Sequence, residues 1–150
     1  TFAKCFNIKF INLRFSNVYG PFSDHKNSFI AKLFKNTLRN KTTYIFGNGS
    51  QSRDFIYVKD VVKAIIKSLN YDKNDTFNIS LGKSYNLKQI IQLTKKITKI
   101  NFKLSYKKFN KGEVLKSSVS NEKAKNKLKF KPSFSLKTGL TETWDWFKNN

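Results

Sequence analysis

The chain has 150 residues, enough for one buried core, with a formal charge of +21 and a pI near 10.1. One cysteine (Cys5) excludes an internal disulfide. One histidine (His25) beside one cysteine excludes a usual zinc site, and no apolar run approaches the ~18–20 residues of a membrane-spanning helix.

The charge implies either an anionic partner or drift toward the residues of A- and T-rich codons. Of the 30 basic residues only Arg14, Arg39 and Arg53 are arginine, and no Lys/Arg block reaches five residues. A dedicated nucleic-acid reader draws on arginine for bidentate contacts, so we read the charge as drift and expect no specific nucleic-acid partner. Thr1 opens the chain and no methionine occurs. We therefore expect a fragment lacking its N-terminal part, with a processed mature domain as the alternative. The cysteine usage fits a reducing, cytoplasmic setting.

In chain order, residues 8–15 are rich in bulky apolar side chains and read as a strand that leaves through Asn17-Val-Tyr-Gly-Pro21. Ser28 is a candidate N-cap for a helix over 29–39 with Ile30, Leu33, Phe34 and Leu38 on one face. Thr43–Phe46 is a short strand stopped by the turn Gly47-Asn48-Gly49, and Phe55–Val58 is a second extended piece. Asp60 is the expected cap of a helix whose apolar row is Val61, Val62, Ile65, Ile66 and Leu69.

Residues 76–80 read as a strand that exits at Leu81-Gly82. A helix over 86–99 carries Leu87, Ile90, Ile91, Leu93 and Ile97. Residues 102–106 alternate as a half-buried strand does. Ser120 is the expected cap of a short helix with Ala124 and Leu128. Pro132 interrupts the chain before a last helix with Leu140, Trp144 and Phe147. Alternating strands and helices define the class as α/β.

Two segments concentrate polar groups against strands: Leu13-Arg-Phe-Ser-Asn-Val-Tyr-Gly-Pro21 and Gly47-Asn-Gly-Ser-Gln-Ser-Arg-Asp-Phe-Ile-Tyr-Val-Lys-Asp60. With Phe77-Asn78-Ile79 before Gly82, and the tail Lys111-Gly-Glu-Val114, Lys123-Ala124, Leu128, Pro132, Gly139-Leu140 and Trp146, they occur in one order. In that order the chain resembles the C-terminal half of an extended short-chain dehydrogenase/reductase of the NAD-dependent nucleotide-sugar epimerase/dehydratase branch, UDP-glucose 4-epimerase being the nearest type. The first two motifs are specific; the others persuade by their order.

The resemblance implies the C-terminal part of a Rossmann-type parallel sheet interleaved with a small α/β substrate-binding lobe. Residues 8–15 and 76–80 would be late strands of the sheet, the helix after Asp60 would lie between them, and most of the rest would form the lobe. The family's Gly-x-x-Gly-x-x-Gly turn and its catalytic Tyr-x-x-x-Lys do not occur in these 150 residues. Both are expected upstream of Thr1, with Thr1 to Asn7 as the tail of the Tyr-Lys helix, so no catalytic residue is assigned in this chain and NAD would be held mainly by the missing half.

The resemblance also assigns roles. Asn17 would hydrogen-bond a substrate diphosphate; an Asx turn is the alternative. Arg53 would fork onto the same diphosphate; an ion pair with Asp54 is the alternative. Glu113 would meet the nucleotide ribose. Phe15 and Ser16 would border the nicotinamide of NAD, with core packing as the alternative for Phe15. Arg14 is as readily a structural ion pair. Asp54 and Asp60 read as structural, Tyr44, Phe46 and Tyr57 as packing aromatics that could reach the nucleotide, and His25 and Lys26 as a solvated loop. Asn110 stands where the family often has an arginine, with Lys108 or Lys111 as substitutes.

As an intact protein this would be an epimerase acting on a UDP-sugar as a homodimer. A 4,6-dehydratase or UDP-glucuronate decarboxylase is the first alternative, and a non-enzymatic polyanion-binding module the second.

Overall fold

The computed structural model describes residues 5–109 and 112–150. The expectations for Thr1–Lys4, Asn110 and Lys111 lie outside them. The elements run β1 (Ile11–Phe15), β2 (Asn17–Tyr19), α1 (Phe29–Leu38), β3 (Thr43–Phe46), β4 (Ser52–Tyr57), α2 (Val58–Leu69), β5 (Asp75–Ile79), β6 (Ser84–Asn86), α3 (Leu87–Thr98), β7 (Leu104–Lys107), α4 (Glu122–Lys127) and α5 (Leu136–Asn149).

The described residues form three small sheets. β1 pairs parallel with β5, Leu13 opposite Phe77. β2 pairs parallel with β4, whose other edge takes β6 antiparallel. β3 pairs parallel with β7. Parallel partners far apart in sequence need crossovers, and helices supply them.

Two apolar cores follow. The larger joins α1 (Ile30, Leu33, Phe34), α3 (Ile90, Ile91) and α5 (Leu140, Trp144, Phe147) to Tyr19, Ile45, Phe55 and Tyr57. The smaller joins β5 (Phe77, Ile79) and Ile56 to Val61, Ala64, Ala124, Leu128 and Phe130. α5 comes close because residue 139 is glycine: a Cβ there would collide with the Tyr19 hydroxyl and the Tyr57 ring.

Several expectations are corrected. Asp60 does not cap α2, which starts at Val58. It is fully buried in the first turn, accepting from Ser133 N at 2.9 Å, Ser133 Oγ at 3.1 Å and Phe134 N at 3.3 Å, and so fastens the chain beyond Pro132 to α2. The apolar row of α2 is only partly inside: Val61 is buried, but Val62, Ile65, Ile66 and Leu69 are exposed, because the smaller core meets the face carrying Val61, Ala64 and Ser68.

Ser28 occupies the N-cap of α1 without a side-chain cap bond. Asn121, not Ser120, is the N-cap of α4; Ser120 Oγ accepts only a long bond, 3.4 Å, from Glu122 N. The first strand is shorter than 8–15 because pairing with β5 begins at Ile11. β6 was not foreseen; it forms against Ser52–Asp54 and leads into the capping box of Asn86 and Gln89 that starts α3.

Candidate functional site

The site begins at the junction of β1 and β2. Ser16 separates the two strands, with its amide on Ile79 O at 3.0 Å and its hydroxyl on Asp54 Oδ1 at 2.8 Å. Asp54 is fully buried and also accepts from Leu81 N and Gly82 N, each at 2.9 Å. The Asn17 amide donates to Asp54 O at 2.9 Å. This bond across strands is not a local Asx turn, and it sets where Asn17 stands.

Side chains alternate along β4. Asp54 points inward, and Arg53 points to a cleft of about 310 Å³. Its guanidinium makes no ion pair with Asp54; one nitrogen, Nη1, donates to Ser52 O at 2.9 Å. The remaining donors carry no acidic partner among the described residues. A guanidinium held at one corner, with its fork free, suits two phosphate oxygens.

The cleft lies between the β2–α1 segment and the β3–β4 turn. Asn17 and Arg53 line it with Asn27, Ser28, Tyr44 and Phe46. Gly47 and Gly49 adopt positive φ (75° and 79°), which turns the chain sharply from β3 toward β4. Gly47 N bonds Lys107 O, and Gly49 O accepts Lys88 N, so the turn is fixed to β7 and α3.

Glu113 reaches the same cleft from far along the chain. Ser52 N bonds Leu115 O at 2.9 Å and Ser117 N bonds Ser52 O at 3.0 Å, laying this segment against β4. Gln51, 2% exposed, stands between: its Nε2 donates to Phe46 O at 2.7 Å and lies 3.5 Å from Glu113 Oε1. Gln51 Oε1 and Glu113 Oε2 are buried without a hydrogen-bond partner among the described residues. Sequence reasoning passed over Gln51; an amide between turn glycines and a strand was the only signal.

Asn17, Arg53 and Glu113 therefore share one cleft, whereas Phe15 and Ser16 do not line it. Phe15 is 45% exposed at the carboxyl end of β1, so core packing is not its role. Ser16 is held by Asp54. Arg14 is exposed and forms no ion pair with the described residues. Tyr44 and Phe46 line the cleft, while Tyr57 is buried in the larger core. Burial, then its hydrogen bond to Glu142, pushes the Tyr57 hydroxyl above the ordinary tyrosine range. His25 lies in an exposed loop with Asp24. No described helix is long and apolar enough to cross a membrane.

Comparison with known proteins agrees with this architecture. Residues 1–80 match the model of the NAD dependent epimerase/dehydratase family. The chain is 35% identical over 151 residues to a putative UDP-glucose 4-epimerase of Methanocaldococcus jannaschii, covering 99% of this chain and 49% of that one. It superposes with a TM-score of 0.91 on the UDP-glucose 4-epimerase of Thermotoga maritima, solved with UDP-glucose, at 37% identity, covering 99% of this chain and 48% of that one. The UDP-N-acetylglucosamine 4-epimerase of Methanobrevibacter ruminantium, solved with UDP-N-acetylmuramic acid, also gives 0.91, at 30% identity over 99% and 49%. The chain thus spans about half the length of these relatives, its fold is α/β as theirs is, and it belongs to the NAD dependent epimerase/dehydratase family.

Proposed function

We propose that these residues form the nucleotide-sugar grip of an NAD-dependent 4-epimerase acting on a UDP-sugar. The observation that carries this is the cleft itself: an arginine fork with no acidic partner among the described residues, an amide, aromatic side chains and a carboxylate all line it. A nucleoside diphosphate asks for that set of groups. Arg53 and Asn17 hold the diphosphate, Glu113 the ribose, and Tyr44 and Phe46 flank the base. The relatives solved with UDP-glucose and UDP-N-acetylmuramic acid support the ligand class.

In this reading β1 and β5 are late strands of the NAD-binding sheet, supported by their parallel pairing. The remainder is mainly the substrate lobe. Ligands of such sheets sit beyond the carboxyl ends of the strands. Phe15 stands at such an end with part of its ring open, which fits one face of a nicotinamide. NAD, when bound, would supply the hydride acceptor for the sugar carbon. Ser16, fixed by Asp54, keeps Phe15 in place beside it. Arg53, Asn17 and Glu113 anchor the non-reacting part of the substrate, and such remote binding orients the sugar for chemistry at another centre. The working enzyme in this reading is a cytoplasmic homodimer.

The test is calorimetric titration of the 150-residue chain with UDP, UDP-glucose and an oligonucleotide of equal charge. Saturable binding of UDP and UDP-glucose, with the oligonucleotide weaker, is expected. Binding that follows polyanion charge alone and vanishes with salt would replace this reading by a basic binding module.

A further inference from the structure

Acidic residues are missing from two long stretches of the chain. Residues 26–53 and 76–112 contain no Asp or Glu, yet they hold 15 of the 30 basic residues. Drift toward lysine accounts for the number of bases; it does not sort the acids away from them. The fold then brings the two stretches together. β3 comes from the first and β7 from the second, and the two strands pair. α1 and α3, one from each, pack on the same larger core. Every ion pair among the described residues uses a base from outside these stretches.

The bases gather where α3 leads into β7. Lys95 and Lys96 are exposed in the last turn of α3, and Lys99 caps it in the left-handed conformation (φ 56°). Residues 99–103 form the link to β7, with Lys103 exposed at its end. Thr43 N bonds Lys103 O at 2.8 Å, which brings exposed Lys41, two residues before Thr43, to the same end of the sheet. Like charges so placed repel one another and attract an anion. The neighbouring side chains narrow its class. Tyr106 on β7 is 56% exposed, and the next residue, Lys107, lies with its Nζ 4.0 Å from the centre of the Tyr44 ring. Lysines that can follow a phosphate backbone, beside an open ring on which a base can stack, make a single-strand surface. A lysine lacks arginine's fork, so such contacts go to phosphate and carry no sequence preference. A membrane-inserting face needs a row of open aliphatic residues; Ile100, 40% exposed, stands alone in the link.

We propose that the patch at the junction of α3 and β7 binds single-stranded nucleic acid without sequence preference, as a surface separate from the cleft. None of Lys41, Lys95, Lys96, Lys99, Lys103 and Tyr106 lines the cleft. The proposal therefore stands or falls independently of the nucleotide reading above.

The experiment is fluorescence anisotropy of a labelled oligo(U) RNA of about 20 nucleotides with the 150-residue chain, a length that covers the usual single-strand site. Salt-sensitive binding that excess UDP does not displace is expected. Lys95→Glu, Lys96→Glu and Lys99→Glu together should weaken it about 10-fold or more. They should also reduce the slope of log K against log salt by about 2, at about 0.7 for each lost phosphate contact. Lys67→Glu, Lys125→Glu and Lys131→Glu change the net charge equally from exposed positions outside the patch and should have little effect. Equal losses in the two triple variants would mean that binding follows net charge, which overturns the proposal. Displacement by UDP, tighter binding to vesicles containing phosphatidylserine, or no binding of the RNA overturns it too. Tyr106→Ala should weaken the RNA about 5-fold or more through lost stacking and leave a duplex of the same length unaffected. Unchanged RNA affinity in that variant overturns the single-strand assignment. Should the first triple variant lose its fold by circular dichroism, glutamine at the same three positions must weaken the RNA more than glutamine at the other three.

Discussion

Ser16 and Asp54 are 38 residues apart and meet at 2.8 Å, the serine hydroxyl donating to Asp54 Oδ1. The same carboxylate takes the amides of Leu81 and Gly82, and the Asp54 carbonyl takes the Asn17 side chain. One buried residue thus joins the exits of β1 and β5 to the start of β2. Its neighbour Arg53 faces the cleft by strand alternation. The pair Arg-Asp therefore divides its directions: the aspartate holds the frame and the arginine lines the cleft.

Asp54→Asn should be strongly destabilising despite its near-identical shape. Its amide cannot accept from both Leu81 N and Gly82 N as well as Ser16. At least one buried N–H then loses its partner. We expect a loss of about 2–5 kcal/mol in urea unfolding. A change under about 1 kcal/mol would mean that this carboxylate is not the junction described.

Arg53→Ala should behave in the opposite way. Its one side-chain bond among the described residues, to Ser52 O, is local. Stability should stay within about 0.5–1 kcal/mol of wild type. UDP binding should weaken by about 2–4 kcal/mol, the range for removing one partner of a desolvated charged hydrogen bond. Arg53→Lys keeps the charge without the fork and should recover only part of it. Unchanged UDP affinity in Arg53→Ala would remove the residue from the site.

Much of this was open to reading in the sequence where the signal is local. The row Ile30, Leu33 and Phe34, and the row Leu140, Trp144 and Phe147, are buried as their helical spacing predicts. The glycine turn at 47–49 and the parallel α/β alternation likewise follow from short windows. What failed depends on distant partners. Asp60 looks like a cap until Ser133 and Phe134 arrive from more than 70 residues away. Val62, Ile65 and Ile66 look like core, and only the placement of β5 decides which side of α2 is covered. Gln51 carries no periodic signal at all; its orientation is set by Phe46 and Glu113.

Acid stability should depend on Glu142. Its Oε2 receives Lys59 Nζ at 2.5 Å and the Tyr57 hydroxyl at 2.6 Å. The Lys59 hydrogen bond first, then that of Tyr57, holds this carboxyl below the ordinary glutamate value. The unfolded chain therefore takes up the proton first as pH falls. The contribution is complete above the ordinary glutamate value of about 4.3 and disappears as pH drops through the lower folded value. Urea midpoints of wild type and Glu142→Gln should differ by a constant amount from pH 7 to about pH 5 and converge in acid. A difference that grows toward acid would contradict the assignment.

The last prediction concerns the 150-residue chain by itself. Leu69 is 79% exposed and Ile66 57% on α2, which packs on β1, and Phe10, just before β1, and Phe15, at its end, are also exposed. Exposed apolar surface of this kind marks a face that binds something. In our reading that surface meets the NAD-binding half, which also brings the glycine turn and the Tyr-Lys pair. The chain alone should therefore bind UDP yet neither retain NAD nor turn over UDP-glucose. It should also bind a hydrophobic dye. Ile66→Lys together with Leu69→Lys should reduce the dye signal and leave UDP affinity unchanged, since neither residue lines the cleft. Epimerisation of UDP-glucose by the purified chain would refute the division of labour between the halves. Loss of UDP binding in the double variant would show instead that the apolar face and the cleft are one unit.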